Sequence, residues 1–169
     1  MWRTHLVLFA LLILASLLTG CRRERFESVT VNTSDVPEAS WELRVSGAVT
    51  EPMALTFQDL VSRDLVKLDD ILERCDCGDE TENAWEGIAL VDLLEEAGAS
   101  KKATGVIFRG ADGYWREAPI DDLRVAMVGI RRDGEWLADD PEDGPIRMVV
   151  PGQSASYWIS QVVELEVVE

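Results

Sequence analysis

Histidine is almost missing from this chain. The one histidine, His5, lies at the edge of an N-terminal apolar segment, and none follows it. Without an imidazole the chain excludes Ser-His-Asp and Cys-His nucleophilic catalysis, histidine zinc sites, blue copper and histidine-ligated haem. Neither G-x-x-x-x-G-K nor G-x-G-x-x-G occurs, so there is no glycine loop to cradle a phosphate. Positive charge is scarce too: lysine is confined to Lys67, Lys101 and Lys102. Setting residues 1–20 aside removes only Arg3, which leaves fifteen basic residues against thirty-two acidic ones and a net charge of −17. Such a surface releases no counterions from a phosphate backbone, so nucleic acid is excluded as a partner. Cysteine is limited to Cys21, Cys75 and Cys77.

What is present begins with a leader. Arg3 and His5 give a short polar start, and Leu6 to Leu18 is apolar but too short to span a bilayer comfortably. Leu18-Thr19-Gly20-Cys21 follows. Small residues ahead of a cysteine at the end of an apolar run have the pattern of a bacterial lipoprotein signal. Residues 1–20 are therefore expected to be a signal peptide, with Cys21 lipidated (palmitate among its acyl chains) as the first mature residue. An uncleaved membrane anchor is the other reading. Either one exports the remainder to the extracytoplasmic face of the cell membrane or outer membrane. Residues 21–39 read as a polar tether with a reach of at most roughly 60 Å. Arg22, Arg23 and Arg25 there suit anionic headgroups. Residues 40–169 are expected to form one folded domain.

Within that domain Trp41, Leu43 and Val45 alternate with polar residues and predict a strand. Thr56 with Asp59 three residues on predicts a capped short helix. Leu65 to Leu72 is an apolar stretch that reads better as strand, and Arg74 to Asn83 reads as an acidic loop. Leu90, Leu93, Leu94 and Ala97 make one apolar stripe at helical spacing, stopped by Gly98. Glu95 and Glu96 sit at the wrong end for the helix dipole, so burial must hold that helix. Further strands are predicted over 104–109, 114–117, 125–130, 146–150 and 163–167, with a helical turn at 119–123 and a hairpin at Asp133-Gly134. The inventory is α+β, with a mixed or antiparallel sheet and a few short helices.

Several residues stand out chemically. Cys75 and Cys77 have more than one reading. They pair with each other in an oxidising compartment, closing a small ring that would be labile or redox-active. They bind a soft ion together with Met53, Met127 or Met148. Or they are loop thiols with no role. Arg109, Arg116 and Arg147 lie at strand ends beside turns, where they form a basic pocket for an anion or ordinary ion pairs with the excess acids. Trp85, Trp115, Trp136 and Trp158 read as core or rim packing. Asp139 to Asp143 lacks the spacing of a calcium loop and reads as solvated.

The order of motifs resembles the oxidoreductase molybdopterin-binding domain family, which has the sulfite-oxidase fold. The resemblance spans about Trp41 to Val168. It rests on Trp41-Glu42-Leu43-Arg44-Val45-Ser46-Gly47 with Pro52, Leu55-Thr56-Phe57-Gln58-Asp59-Leu60, and Trp85-Glu86-Gly87-Ile88-Ala89-Leu90 leading to Asp92-Leu93-Leu94 and Ala97-Gly98. Asp112-Gly113-Tyr114, Gly144-Pro145-Ile146-Arg147-Met148-Val149-Val150-Pro151-Gly152 and Trp158 complete it. The resemblance implies molybdenum held by a pterin dithiolene and one cysteine thiolate, two-electron chemistry outside the cytoplasm, and a redox partner protein. Cys75 and Cys77 are the residues in the ligand's place, and Arg109, Arg116 and Arg147 the candidates for the anionic cofactor. The loop departs from the family's enzymes: Gly78-Asp79-Glu80 stands where they carry glycine, asparagine and arginine. Acidic neighbours raise a thiol's pKa and repel a pterin phosphate. The leading expectation is a lipid-anchored molybdopterin-dependent oxidoreductase, or a protein that kept that fold and lost the cofactor. The alternatives are a non-enzymatic lipoprotein that binds a ligand or partner, and a Cys-x-Cys thiol-redox or soft-metal module.

The anchor has a direct test. Cys21→Ser is expected to move the expressed full chain out of the detergent-soluble membrane fraction and to abolish labelling by a palmitate analogue. Unchanged fractionation and labelling would contradict lipidation at this residue.

Overall fold

The computed structural model describes residues 25–32, 35–75 and 77–169. The expected signal peptide, Cys21, Arg22, Arg23 and Glu24 lie outside the described residues, as do Thr33, Ser34 and Asp76. Among the described residues no helix is long and apolar enough to cross a membrane.

The strands, in chain order, are β1 (Glu27–Val29), β2 (Glu42–Gly47), β3 (Met53–Thr56), β4 (Leu65–Arg74), β5 (Glu80–Ala89), β6 (Gly105–Gly110), β7 (Trp115–Pro119), β8 (Met127–Arg132), β9 (Glu135–Trp136), β10 (Arg147–Val149) and β11 (Val162–Val168). Two short helices interrupt them, α1 (Phe57–Val61) and α2 (Leu90–Glu96). One sheet runs β1-β4-β5-β8-β10, with β9 paired to β8, and is antiparallel throughout. The other runs β3-β2-β11-β6-β7 and is mixed, because β11 lies parallel to β2. This is the expected α+β class, sheet-rich with few short helices.

A single apolar core joins the sheets and both helices, with Phe57, Trp85, Leu90, Phe108, Met148 and Leu165 among its buried members. The capping box forms as the sequence predicts: the Asp59 amide donates to Thr56 Oγ1 at 3.1 Å, and the Thr56 amide donates to Asp59 Oδ2 at 2.8 Å. Hydrogen bonding to Thr56 holds the Asp59 carboxyl below its ordinary pKa. Helix α2 has no side-chain cap, and Leu90, Leu93 and Leu94 are buried along it, so its stripe does hold it. Gly98 follows with a φ of 63°.

The stretch Trp85–Ala89, ahead of the helix, is strand: it pairs with β8 throughout and with β4 over Trp85–Gly87. The acidic loop shrinks accordingly to the tip of a long hairpin, since β4 continues to Arg74 and β5 begins at Glu80. The polar tether also contains structure. Glu27–Val29 pairs with Leu65–Lys67 on the outer side of β4, and Phe26, Val29, Val31 and Val36 pack on the core.

One close approach fixes the register of the antiparallel sheet. Gly87 on β5 lies opposite Gly129 on β8. A Cβ at Gly87 would sit 2.1 Å from the Val128 carbonyl oxygen, and one at Gly129 would sit 3.0 Å from Trp85 Cε3 and 2.9 Å from Val149 Cγ2. Glycine there lets the fully buried Trp85 ring lie against the neighbouring strand. Two bulges flank the pair, one between Leu68 and Ile71, where Asp70 has a φ of 54°, and one between Glu86 and Gly87. Bulges twist a ladder locally and redirect its side chains.

Gly129→Ala is expected to cost about 1–3 kcal/mol of stability, because side chains can yield there. Gly87→Ala meets backbone and should cost more. Urea denaturation of both variants checks the order, and equal midpoints would contradict it.

Candidate functional site

The long β4–β5 hairpin, the N-terminal end of β10 and the segment around Ala155 enclose an open pocket of about 370 Å³. Glu73, Cys75, Thr81 and Asn83 line it from the hairpin, and Arg132 and Arg147 from the neighbouring strands. The tip is held to the opposite wall by a backbone bridge between Arg74 and Ser154.

Beneath the pocket lies a partly buried network of charges. Arg147 donates to Glu73 at 2.7 Å, to Asp143 at 3.0 Å, and through Nε to the Trp158 carbonyl at 3.2 Å. Arg132 donates to Asp143 at 2.5 Å and to Asp140 at 2.8 Å. Ser160 Oγ donates to the other Asp143 oxygen at 2.6 Å. Both guanidinium carbons lie 5.8 Å from the Trp85 ring centroid, and Trp158 meets Trp85 edge-on at 5.8 Å. Two arginines thus face three carboxylates over an aromatic floor, where cation–π attraction adds to the pairing.

The acidic segment 139–144, expected to be solvated, instead supplies two of those carboxylates. Asp140 Oδ1 accepts from the amides of Glu142 and Asp143, at 2.9 and 3.1 Å, and folds the turn on itself. Those backbone bonds hold its carboxyl below the usual range. Burial pushes the Glu73 carboxyl up, against the pull of Arg147.

The three arginines singled out in the sequence do not converge. Arg147 belongs to the pocket. Arg109, on β6, pairs with Glu164 at 3.3 Å and Glu166 at 2.6 Å on β11. Arg116, on β7, lies over the Tyr114 ring at 4.6 Å. Arg109 is paired across the ladder with Trp115, which puts Arg109 and Arg116 on opposite faces of the mixed sheet. Sequence reasoning missed Arg132, Glu73 and Asp143. Their signal was Arg131-Arg132 directly before the Asp133-Gly134 hairpin, with an acidic turn one strand later.

Cys75 and Cys77 are joined by a disulfide. Closing so short a loop contributes about 2 kcal/mol or less to stability by chain entropy. Met127 and Met148 are fully buried in the core, and Met53 lies on β3 of the other sheet, whereas both cysteines are exposed at the tip of the β4–β5 hairpin. Among the described residues no group of three or more His, Cys, Asp or Glu side chains is arranged to hold a metal ion.

Comparison with known proteins places the chain by family, by sequence relatives and by fold. Residues 29–169 match the family described as oxidoreductase molybdopterin binding domain. The chain is 30% identical over 128 residues to YuiH, an uncharacterized oxidoreductase of Bacillus subtilis, covering 72% of this chain and 64% of that protein. It is 28% identical over 170 residues to nitrate reductase [NADH] 1 of Phaseolus vulgaris, covering 76% of this chain and 19% of that enzyme. The chain therefore spans less than two thirds of these relatives. The sulfane dehydrogenase SoxCD of Paracoccus pantotrophus has the same fold, with a TM-score of 0.69 at 22% identity, over 82% of this chain and 39% of that one.

The network makes opposite predictions for two of its acids. Asp143 alone touches both guanidiniums. Asp143→Ala should therefore destabilise by about 3 kcal/mol, since it strips paired charge from a partly buried site. Burial raises the Glu73 pKa in the fold, so its contribution is greatest at low pH and declines as pH rises through the raised value. Glu73→Gln should be mild at neutral pH and should flatten that decline, as followed by urea midpoints from about pH 4 to 7. A steeper pH dependence in Glu73→Gln would contradict the assignment.

Proposed function

The chain belongs to the oxidoreductase molybdopterin-binding domain family, and from that premise we propose that it is an extracytoplasmic, lipid-anchored member that keeps the fold without the molybdenum cofactor. The donor chemistry of the pocket carries this reading. A molybdenum dithiolene needs a protein thiolate, and Cys75 Sγ is bonded to Cys77. The pterin's phosphate needs an uncommitted cation, and each pocket arginine already faces two carboxylates. Asp79 adds further negative charge at the rim. An anionic pterin would meet net negative charge in a partly desolvated site, which is unfavourable in proportion to that burial. The residues present do not fit the group, and no reaction step is routed through it.

The same observation says what the cleft has become. Where the family's enzymes present a thiolate and basic residues, this chain presents a disulfide and a closed set of ion pairs. The fold is kept by its core, which draws nothing from the cofactor. The lipoprotein signal supports a role at the surface of an exported membrane face, next to a partner and not in bulk solution.

Metal and pterin analysis of the protein purified from its native host tests the proposal. Molybdenum far below one per chain, with no fluorescent pterin after oxidation, is the expected result. Stoichiometric molybdenum that disappears in Cys75→Ser would overturn it.

A further inference from the structure

We propose that the Cys75–Cys77 disulfide is an exchange site that oxidises a dithiol presented on a basic protein surface. The inference rests on the reading that Cys75 is not a molybdenum ligand. Four observations support it.

The bond is not what closes the turn. The Cys75 amide donates to the Asp79 carbonyl and the Gly78 amide to the Cys75 carbonyl, each at 2.9 Å. The ladder between β4 and β5 runs right up to the pair Arg74 and Glu80. With only one residue between the cysteines, the cross-link removes little freedom from the unfolded chain. The backbone keeps its turn whether the sulfurs are joined or not.

The bond is also unprotected. Both cysteines are exposed at the far end of the hairpin. Exposed disulfides that staple nothing belong to the exchangeable class, because rate depends on access for the attacking thiolate.

The two sulfurs differ in access. Cys75 faces the pocket wall, and Cys77 lies outside that lining. An incoming thiolate therefore bonds to Cys77 Sγ. The S–S bond breaks, and the electron pair leaves on Cys75 Sγ, which takes up a proton. The partner's second thiolate then attacks the partner sulfur of the mixed disulfide. Cys77 is released, takes up a proton, and the partner is left as a disulfide. Two electrons and two protons have passed from the partner dithiol to Cys75 and Cys77. A disulfide of more positive potential returns the pair to its starting state.

The charge around the tip selects the partner. Arg74 is engaged by Glu80 at 2.8 Å, Asp79 stands on the turn, and Glu82 follows exposed on β5. The chain as a whole carries a net charge of −16. A free anionic thiol is repelled by this field, whereas a dithiol on a basic surface is steered in.

The test uses the folded chain with two small probes, cysteamine and mercaptoethanesulfonate, matched for thiolate concentration. Alkylation and mass spectrometry count the thiols, circular dichroism follows the fold, and molybdenum is measured on the same sample. Both cysteines should be reduced with the fold unchanged, and cysteamine should act about fivefold faster at low ionic strength. High salt should bring the ratio towards unity. With cystamine, Cys77 in Cys75→Ser should form its mixed disulfide faster than Cys75 does in Cys77→Ser. Free thiols in the protein isolated under oxidising conditions, reduction only with loss of fold, or equal rates for the two probes would overturn the inference. Molybdenum in a sample that still exchanges would overturn the cofactor-free reading alone. Failure to exchange in a molybdenum-free sample would overturn this one alone.

Discussion

The fully buried Trp85 ring organises the antiparallel sheet and the site above it. On one side it packs against Gly129, where a Cβ would sit 3.0 Å from the ring and press it aside. On another it stands edge-on to Trp158 and carries the guanidiniums of Arg132 and Arg147. Those arginines come from adjacent strands, and Asp143 ties them together from a turn. The ring thus sets the spacing of β5 and β8 and provides the floor on which the charges are arranged. A smaller residue would leave a cavity in the core and take away the apolar support of two partly desolvated cations.

The charge network follows from that placement. Two cations held over an aromatic surface and partly removed from water require counter-ions close by. The chain supplies three carboxylates from two distant segments, the hairpin at Glu73 and the turn at Asp140 and Asp143. Glu73 is the odd member: burial makes its charged form costly even with Arg147 beside it. The network therefore knits hairpin, turn and β10 into one unit, and in doing so it commits the positive charge that an anionic ligand would need. Architecture and ligand chemistry can part company in this way, because the core and the site draw on different residues.

Much of the architecture was legible in the sequence because it is written in local patterns. Thr56 and Asp59 read as a capping box and form one; Asp133-Gly134 reads as a tight hairpin and pairs Arg132 with Glu135. The motifs from Trp41 to Trp158 pointed to the fold that the comparisons show. Two strands left no clear local pattern. Trp85 to Ala89 lacks the alternation of a half-buried strand because it is covered on both faces, and Glu27 to Val29 is a strand only through its pairing to β4. The site was less legible still. Arg109, Arg116 and Arg147 look alike in sequence, and only the sheet order separates them. Arg132, Glu73 and Asp143 are far apart in the chain and meet through tertiary structure, so no spacing rule could have joined them. Cys75 and Cys77 were recognisable as a pair, but their surroundings were not.

Strand β1 changes what a lipid at Cys21 would mean. Had residues 21–39 been free, the domain could have ranged roughly 60 Å from the bilayer. Because Glu27 is already pinned to the sheet, only five residues separate the proposed anchor from folded protein, a leash of about 20 Å. Reach enters the accessible volume as its cube, so the shorter leash concentrates the domain roughly thirtyfold at the membrane. On such a leash the domain would be a surface fixture, meeting partners that share its membrane far more often than those that drift past in solution.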